Sequence, residues 1–179
     1  IQDYWQQEQQ REAQRWIESD MRSSIPQRRK DCLAAGTPVW TSRGKVAVEL
    51  IQPGDMVLSQ NETTGELDYK VVLRTTIRPE EQLLRVHTGQ EAFLVSGGHP
   101  FWVVGSGWTK ARELKSGMTL HTLRGTVQIS GLSTGPQERT YNLIVADFNT
   151  YFIGESRTLT HDNTTRQPSN LVLPGMAWE

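Results

Sequence analysis

Thr37-Pro38-Val39-Trp40-Thr41, then Ser42-Arg43-Gly44-Lys45, then Val46-Ala47-Val48-Glu49-Leu50 set the pattern of the chain: two short runs rich in β-branched and aromatic residues, separated by turn formers. Runs bounded in this way read as strands. The pattern recurs at residues 56–60, 67–76, 82–88, 92–96 and 101–104, and again at 118–122, 126–130, 139–145, 151–154 and 158–160. Asn61-Glu62-Thr63-Thr64-Gly65 is a hairpin-loop signal between two of them. About a dozen short strands without a helical period predict an all-β domain. The only helical candidate inside it is 109–115, a turn or two long. Ile51-Gln52-Pro53-Gly54-Asp55 and Glu113-Leu114-Lys115-Ser116-Gly117-Met118 are loosely similar, each with a glycine just before a strand, as in a duplicated subdomain.

Outside this region the composition changes. Residues 1–30 hold seven glutamines, six basic and five acidic side chains and no glycine, whereas all 15 glycines fall from Gly36 onward. Trp5, Ala13, Trp16, Ile17 and Met21 make a partial apolar stripe at the helical period, and Ser23, Ser24 and Pro26 end it. Arg28-Arg29-Lys30 reads as a solvated linker. Residues 1–31 are therefore expected to be a helical upstream flank and linker, either belonging to an upstream neighbour or packed on the β domain. Residues 164–179, with Pro168, Pro174 and Gly175 and no clear period, read as a C-terminal flank, mobile or lightly docked. The 179-residue chain begins at Ile1, as a piece of a larger protein would.

Lys+Arg number 19 against 20 Asp+Glu, for a net charge of −1. That balance excludes binding by bulk phosphate attraction, so no nucleic-acid partner is expected. The longest apolar stretches run about four residues, such as Leu143-Ile144-Val145-Ala146, far from the ~18 that span a bilayer, so no membrane partner is expected. One cysteine excludes an internal disulfide and a multi-cysteine metal site. It leaves a lone thiol that is either inert or a nucleophile.

Cys32 follows Asp31 where the polar linker meets the β domain. At such an edge its thiol can attack the carbonyl of Asp31 through a five-membered ring and exchange an amide for a thioester. The exchange is uphill in an ordinary chain. It needs a distorted peptide bond, a proton donor for the leaving nitrogen and help in forming the thiolate. His99 is the donor candidate, in Ser96-Gly97-Gly98-His99-Pro100, where two glycines permit a tight turn and Ser96 can orient a nearby amide. His161-Asp162-Asn163 lies at the other edge. An asparagine there can cyclise and cut the chain after itself, an aspartate can do so through an anhydride, and the histidine can polarise the carbonyl. Each element alone is more often an ordinary polar loop.

In this order and spacing the elements resemble the Hint superfamily, the Hedgehog/intein autoprocessing domains, and more closely the bacterial intein-like and pretoxin Hint domains. The resemblance covers 32–163. It rests on Cys32-Leu33-Ala34-Ala35-Gly36-Thr37-Pro38-Val39, Pro53-Gly54-Asp55-Met56-Val57, Ser96-Gly97-Gly98-His99-Pro100-Phe101, Gly107-Trp108-Thr109-Lys110-Ala111-Arg112-Glu113-Leu114, Tyr141-Asn142-Leu143-Ile144-Val145, Asn149-Thr150-Tyr151-Phe152-Ile153-Gly154 and Leu159-Thr160-His161. It implies a pseudo-two-fold horseshoe of short strands that unites the two chain ends. It also implies an N–S acyl shift at Cys32, with His99 protonating the leaving nitrogen, Ser96 assisting, and His161 aiding a cut at the C-terminal junction. The thioester then passes to water, to an external thiol or amine, or to a downstream side chain. The substrate is the chain's own flanking polypeptide, a monomer is expected, and the setting implied is a secreted or cell-surface bacterial protein.

Several positions depart from the family pattern. Ser96 stands for the usual Thr and keeps the hydroxyl. Asn142 stands where many members have Asp, and Asn149 where many have His, which removes titratable groups coupling the junctions. At the end, either Asp162 replaces the terminal Asn, or Asn163 is the cyclising residue and Thr164 a nucleophile beyond it. The register of His161 favours Asp162, and with it N-terminal cleavage over full splicing. The Asp31 carboxylate, beside the thioester carbonyl, is expected to hasten release.

The alternative reading is a weakened Hint-fold spacer or interaction domain. An enzyme acting on external substrates finds no cofactor motif. Gly131-Leu132-Ser133-Thr134-Gly135 is read as a turn rather than a hydrolase elbow, because Pro136 and a strand follow. His87 and His121 are expected to be structural, Trp40, Trp102 and Trp108 to be packing, and no native metal site is expected from Cys32, His99 and His161.

Overall fold

The computed structural model describes residues 31–164 and Leu173. The expected N-terminal helix falls on residues outside that range. Twelve strands form: β1 (Leu33–Ala34), β2 (Pro38–Thr41), β3 (Gly44–Ala47), β4 (Met56–Gln60), β5 (Leu67–Thr88), β6 (Ala92–Val95), β7 (Pro100–Val103), β8 (Gly107–Lys110), β9 (Thr119–Thr122), β10 (Gly125–Val145), β11 (Thr150–Ile153) and β12 (Thr158–His161). Two 3-10 turns, Val48–Leu50 and Ala111–Glu113, are the only helical elements among the described residues. The all-β architecture read from the strand pattern is the one that forms.

The chain is built twice. A hairpin, a 3-10 turn, a short strand and one long strand follow one another as β2-β3-turn-β4-β5 and again as β7-β8-turn-β9-β10. The backbone hydrogen bonds repeat in step. Val48 N–H bonds Thr37 O at 2.9 Å and Ala111 N–H bonds His99 O at 2.9 Å. Gly54 N–H bonds Val72 O and Gly117 N–H bonds Ile129 O, both at 2.8 Å. Gly54 (φ 97°) and Gly117 (φ 92°) are both left-handed, which favours glycine there in each copy. The similarity of 51–55 to 113–118 is thus the trace of a pseudo-two-fold. Its axis passes beside Leu33 and Val95, which pair with each other while Leu33 also pairs with Tyr141 and Val95 with Leu84.

Four expectations are corrected. The runs 67–76 and 82–88 are one 22-residue strand, and 126–130 and 139–145 are one of 21, so two of the strands are long. The breaks read at Pro79 and at 131–136 are absorbed instead as irregularities of the β5–β10 ribbon, whose register slips between Thr134 and Gln137 and between Glu138 and Thr140. Proline has no N–H to give to a ladder, and these two of the ribbon's four slips each sit beside one, Pro136 or Pro79. Gly131-Leu132-Ser133-Thr134-Gly135 accordingly lies inside β10 and is not a turn. The helical candidate 109–115 starts as β8, because Trp108 and Thr109 pair with Trp102 and Phe101 across a hairpin, and only Ala111–Glu113 turn. Within 46–50, β3 ends at Ala47 and 48–50 is the matching 3-10 turn.

The main core gathers side chains of both copies, among them Leu33, Val39, Val57, Val86, Phe93, Phe101, Leu120, Ile129, Leu143 and Ile153. A second cluster contains Trp102, Phe152, Leu159 and Leu173, with Trp40 and Trp108 against it. Each fully buried side chain of this size contributes roughly 1.5–3 kcal/mol. Exposed ion pairs such as Lys45–Glu155 contribute about 0–1 kcal/mol. Apolar packing therefore fixes the frame that carries the polar groups described next.

Candidate functional site

β1 is only two residues long, yet it is held on both sides, by β10 and by β6. That clamps Cys32, the residue before it, and buries it completely. The chain then turns its polar groups onto this position. Ser96 Oγ accepts the N–H of Cys32 at 2.9 Å, and Ser96 N–H donates to Cys32 O at 3.0 Å. The N–H that Ser96 holds belongs to the Asp31–Cys32 peptide bond. Asn142, opposite Cys32 on β10, donates from Nδ2 to Sγ at 3.3 Å, and its Oδ1 accepts the hydroxyl of Thr76. Burial pushes the Cys32 thiol up to about 11, and hydrogen bonds from Asn142 and Thr140 pull the other way. The thiol is thus a poor nucleophile until something takes its proton.

Ser96 opens a turn that His99 closes, His99 N–H donating to Ser96 O at 3.1 Å. His99 is fully buried, its ring edge-on to Phe101 at 5.5 Å. The glycines between are not forced by φ, since neither has a left-handed φ. A Cβ on Gly97 would meet Arg112 Cβ at an ordinary 3.7 Å. The equivalent turn of the first copy runs from Ala34 to Thr37, with Thr37 N–H bonded to Ala34 O at 3.3 Å. One turn geometry therefore carries Ser and His in one copy and Ala and Thr in the other.

The C-terminal trio lies against the same stretch of β10, one to three residues beyond Asn142. Asn163 N–H donates to Leu143 O at 3.1 Å, and Asp162 Oδ2 accepts Val145 N–H at 2.7 Å and Asn149 Nδ2 at 3.2 Å. Asp162 Oδ1 accepts Thr164 N–H at 3.0 Å and its hydroxyl at 2.5 Å. Burial raises the Asp162 carboxyl to about 7, against those hydrogen bonds. His161 is buried, with Nδ1 3.0 Å from Asp162 O and its ring edge-on to Trp108 at 4.9 Å. Asn163 Oδ1 is buried without a hydrogen-bond partner among the described residues. Tyr151 is fully buried, and its phenol is pushed well above its usual range, by burial first and then by the charges of Asp162, Cys32 and Asp31.

Several of these residues were not candidates on the sequence. Asn142 reads there as a lost acid, yet it holds the sulfur. Thr140, Thr76 and Tyr151 look like ordinary strand residues. His121 and His87 lie in strands: His121 bonds Gln60 Oε1 at 2.7 Å and is lowered to about 4 by burial, and His87 bonds Ser133 Oγ at 2.8 Å. No group of three metal-ligating side chains converges among the described residues. None of their helices is long and apolar enough to cross a membrane.

A family model described as the pretoxin HINT domain matches residues 38–163. A bacterial intein-like domain from Clostridium thermocellum is 34% identical, with 74% of this chain and 99% of that one covered at a TM-score of 0.70. A DnaB intein from Synechocystis sp. PCC 6803 is 15% identical, with 73% of this chain and 97% of that one covered at a TM-score of 0.67. The gp41-1 intein is 22% identical over 73% of this chain and 98% of its own, at a TM-score of 0.63. No curated protein matches.

Proposed function

The chain belongs to the pretoxin HINT domain family, whose fold is that of intein-like autoprocessing domains, and from that premise we propose that it cuts its own backbone at the Asp31–Cys32 bond. The processing unit runs from Cys32 to Asn163, between an upstream flank at 1–31 and a downstream flank at 164–179. It acts once, in cis, on its flanking polypeptide. The observation that carries this reading is the pair of hydrogen bonds between Cys32 and Ser96, with Asn142 on the sulfur. It supplies an oriented scissile amide beside an oriented nucleophile, which is what proximity catalysis requires.

In the reaction the thiolate of Cys32 attacks the carbonyl carbon of Asp31. His99 delivers a proton to the nitrogen of Cys32, the C–N bond breaks, and Asp31 is left as a thioester. Ser96 holds the nitrogen in line. Water, or an added thiol or amine, then releases the upstream segment. At the other end His161 polarises the carbonyl of Asp162, or of Asn163, for a slower cut. With Asp162 terminal, the residue that follows is Asn163, which cannot accept an acyl group. Simple N-terminal cleavage is therefore favoured over splicing. A second reading, a Hint-fold spacer with weakened chemistry, is favoured by the burial that raises the thiol and by an amide at 142 that cannot take a proton.

Incubation with and without dithiothreitol, followed by intact mass, separates the two. The expected result is a split between residues 31 and 32, faster with thiol, and no split in Cys32→Ala. An unchanged wild-type mass after a day with thiol refutes the cleavage reading.

A further inference from the structure

A buried thiol raised to about 11 cannot lose its proton unaided near neutrality, and Asn142 beside it is no base. A carboxylate lies one row further along the sheet. Thr140, fully buried and paired with Ala34, lies on the same face of the sheet as Cys32, close enough for its hydroxyl to lower the thiol, and its Oγ1 donates to Glu81 Oε2 at 3.1 Å. The backbone explains why a β5 carboxylate is there. Thr140 is opposite Arg78 and Glu138 opposite Glu81, so two steps on β10 span three on β5. The extra residue lies beside Pro79. Without that slip, residues 78 and 81 would point to opposite faces. With it, Thr76, Arg78 and Glu81 all share the face of Asn142, Thr140 and Cys32.

We propose that Glu81, acting through the hydroxyl of Thr140, takes the proton of the Cys32 thiol. The proposal rests on the cleavage reading above. The thiol proton passes to Thr140 Oγ1 as the Thr140 proton passes to Glu81 Oε2. The sulfur pair then forms the bond to the Asp31 carbonyl, and the Cys32 nitrogen leaves with the proton from His99. The charged and titratable groups about the thiol are Glu81 and Arg78 from β5, Asp31 beside it in sequence, Tyr151 from β11, and the turn of Ser96 and His99. Glu81 disfavours a thiolate while it is charged and Arg78 favours one, so protonating Glu81 removes the opposing charge as the sulfur ionises.

The test is the rate of dithiothreitol-induced release of the upstream segment, read by intact mass from pH 6 to pH 10. Glu81→Gln is expected to slow release about 100-fold at pH 7, in the range typical of a lost general base. The deficit should shrink toward pH 10, where hydroxide takes over. Thr140→Val should match it, Thr140→Ser should recover most of the rate, and Glu81→Gln with Thr140→Val should be no slower than either alone. A deficit constant with pH, additive losses, or wild-type rates in Glu81→Gln would overturn the relay and leave Cys32-dependent cleavage standing. A wild type that never cleaves overturns both.

Discussion

The stability of this fold should carry two opposing pH dependences that hide each other. Asp162 is raised by burial from its ordinary 3.8 to about 7. Between those values the folded chain keeps a proton that the unfolded chain has released. Its contribution is whole below about pH 4 and is lost as pH rises to 7. At ~1.4 kcal/mol per unit the loss comes to ~4 kcal/mol. His121 is lowered by burial from 6.5 to about 4. Here the unfolded chain takes a proton that the folded chain refuses, so stability is whole above 6.5 and falls by ~3 kcal/mol as pH drops to 4. Between pH 4 and 6.5 the two nearly cancel. Urea unfolding of Cys32→Ala, which removes the nucleophile, gives the reference curve at each pH. Asp162→Asn in that background is neutral at every pH. Its amide meets the Thr164 N–H badly, but that penalty does not vary with pH. The stability of Cys32→Ala minus that of the double variant should therefore fall by ~4 kcal/mol from pH 4 to 7.5. The same difference for His121→Gln should rise by ~3 kcal/mol from pH 4 to 6.5. Flat differences would refute the burial argument for either group.

Two further outcomes follow from particular contacts. Leu173 is fully buried against Trp102, Phe152 and Leu159. Leu173→Ala should cost ~2–4 kcal/mol in urea unfolding and shift tryptophan emission to the red, whereas an unchanged midpoint would mean that the leucine is not seated there. Asp31→Gly should slow release of the upstream segment, since the carboxylate next to the thioester carbonyl is gone; equal release times, measured by mass, would remove its role.

Strand composition was enough to place eight of the twelve strands to within a few residues, but it missed β1 and β8 and split β5 and β10 in two. It failed where a sequence signal is ambiguous in two dimensions. Pro79 and the Gly135-Pro136 pair are turn formers in one chain, but two neighbouring long strands can accommodate them as slips in register. That is a property of the pair, invisible in either strand. The same limit hid half of the site. Cys32, Ser96 and His99 are legible because their types and spacing carry chemistry. Thr140 and Glu81 matter only because a bulge turns one to face the other. Asn142 was legible as a departure, but its bond to the sulfur follows from Leu33 pairing with Tyr141, which puts Cys32 opposite it. Leu173 had no periodic neighbours to announce that it packs in the core.

The duplication also explains why a symmetric frame holds a single site. The pairing of Leu33 with Val95 puts Leu94 in the place equivalent to Cys32, opposite Arg85 as Cys32 is opposite Asn142. Ala34 and Thr37 stand where Ser96 and His99 do in the other copy. The symmetry-related position therefore has no thiol, no hydroxyl on the amide and no imidazole. What remains is one constellation drawn from both sides of the axis: the thiol from the strand that precedes the first copy, the turn from the start of the second, and the β10 side chains from its end. Because β10 is long, its residues 140–145 touch Cys32 at one end and Asp162 and Asn163 at the other. The closeness of the two junctions is thus a consequence of strand length and register, and it persists whether or not both bonds are cut. Shortening β10, or changing its register against β5, should uncouple the termini before it unfolds the core.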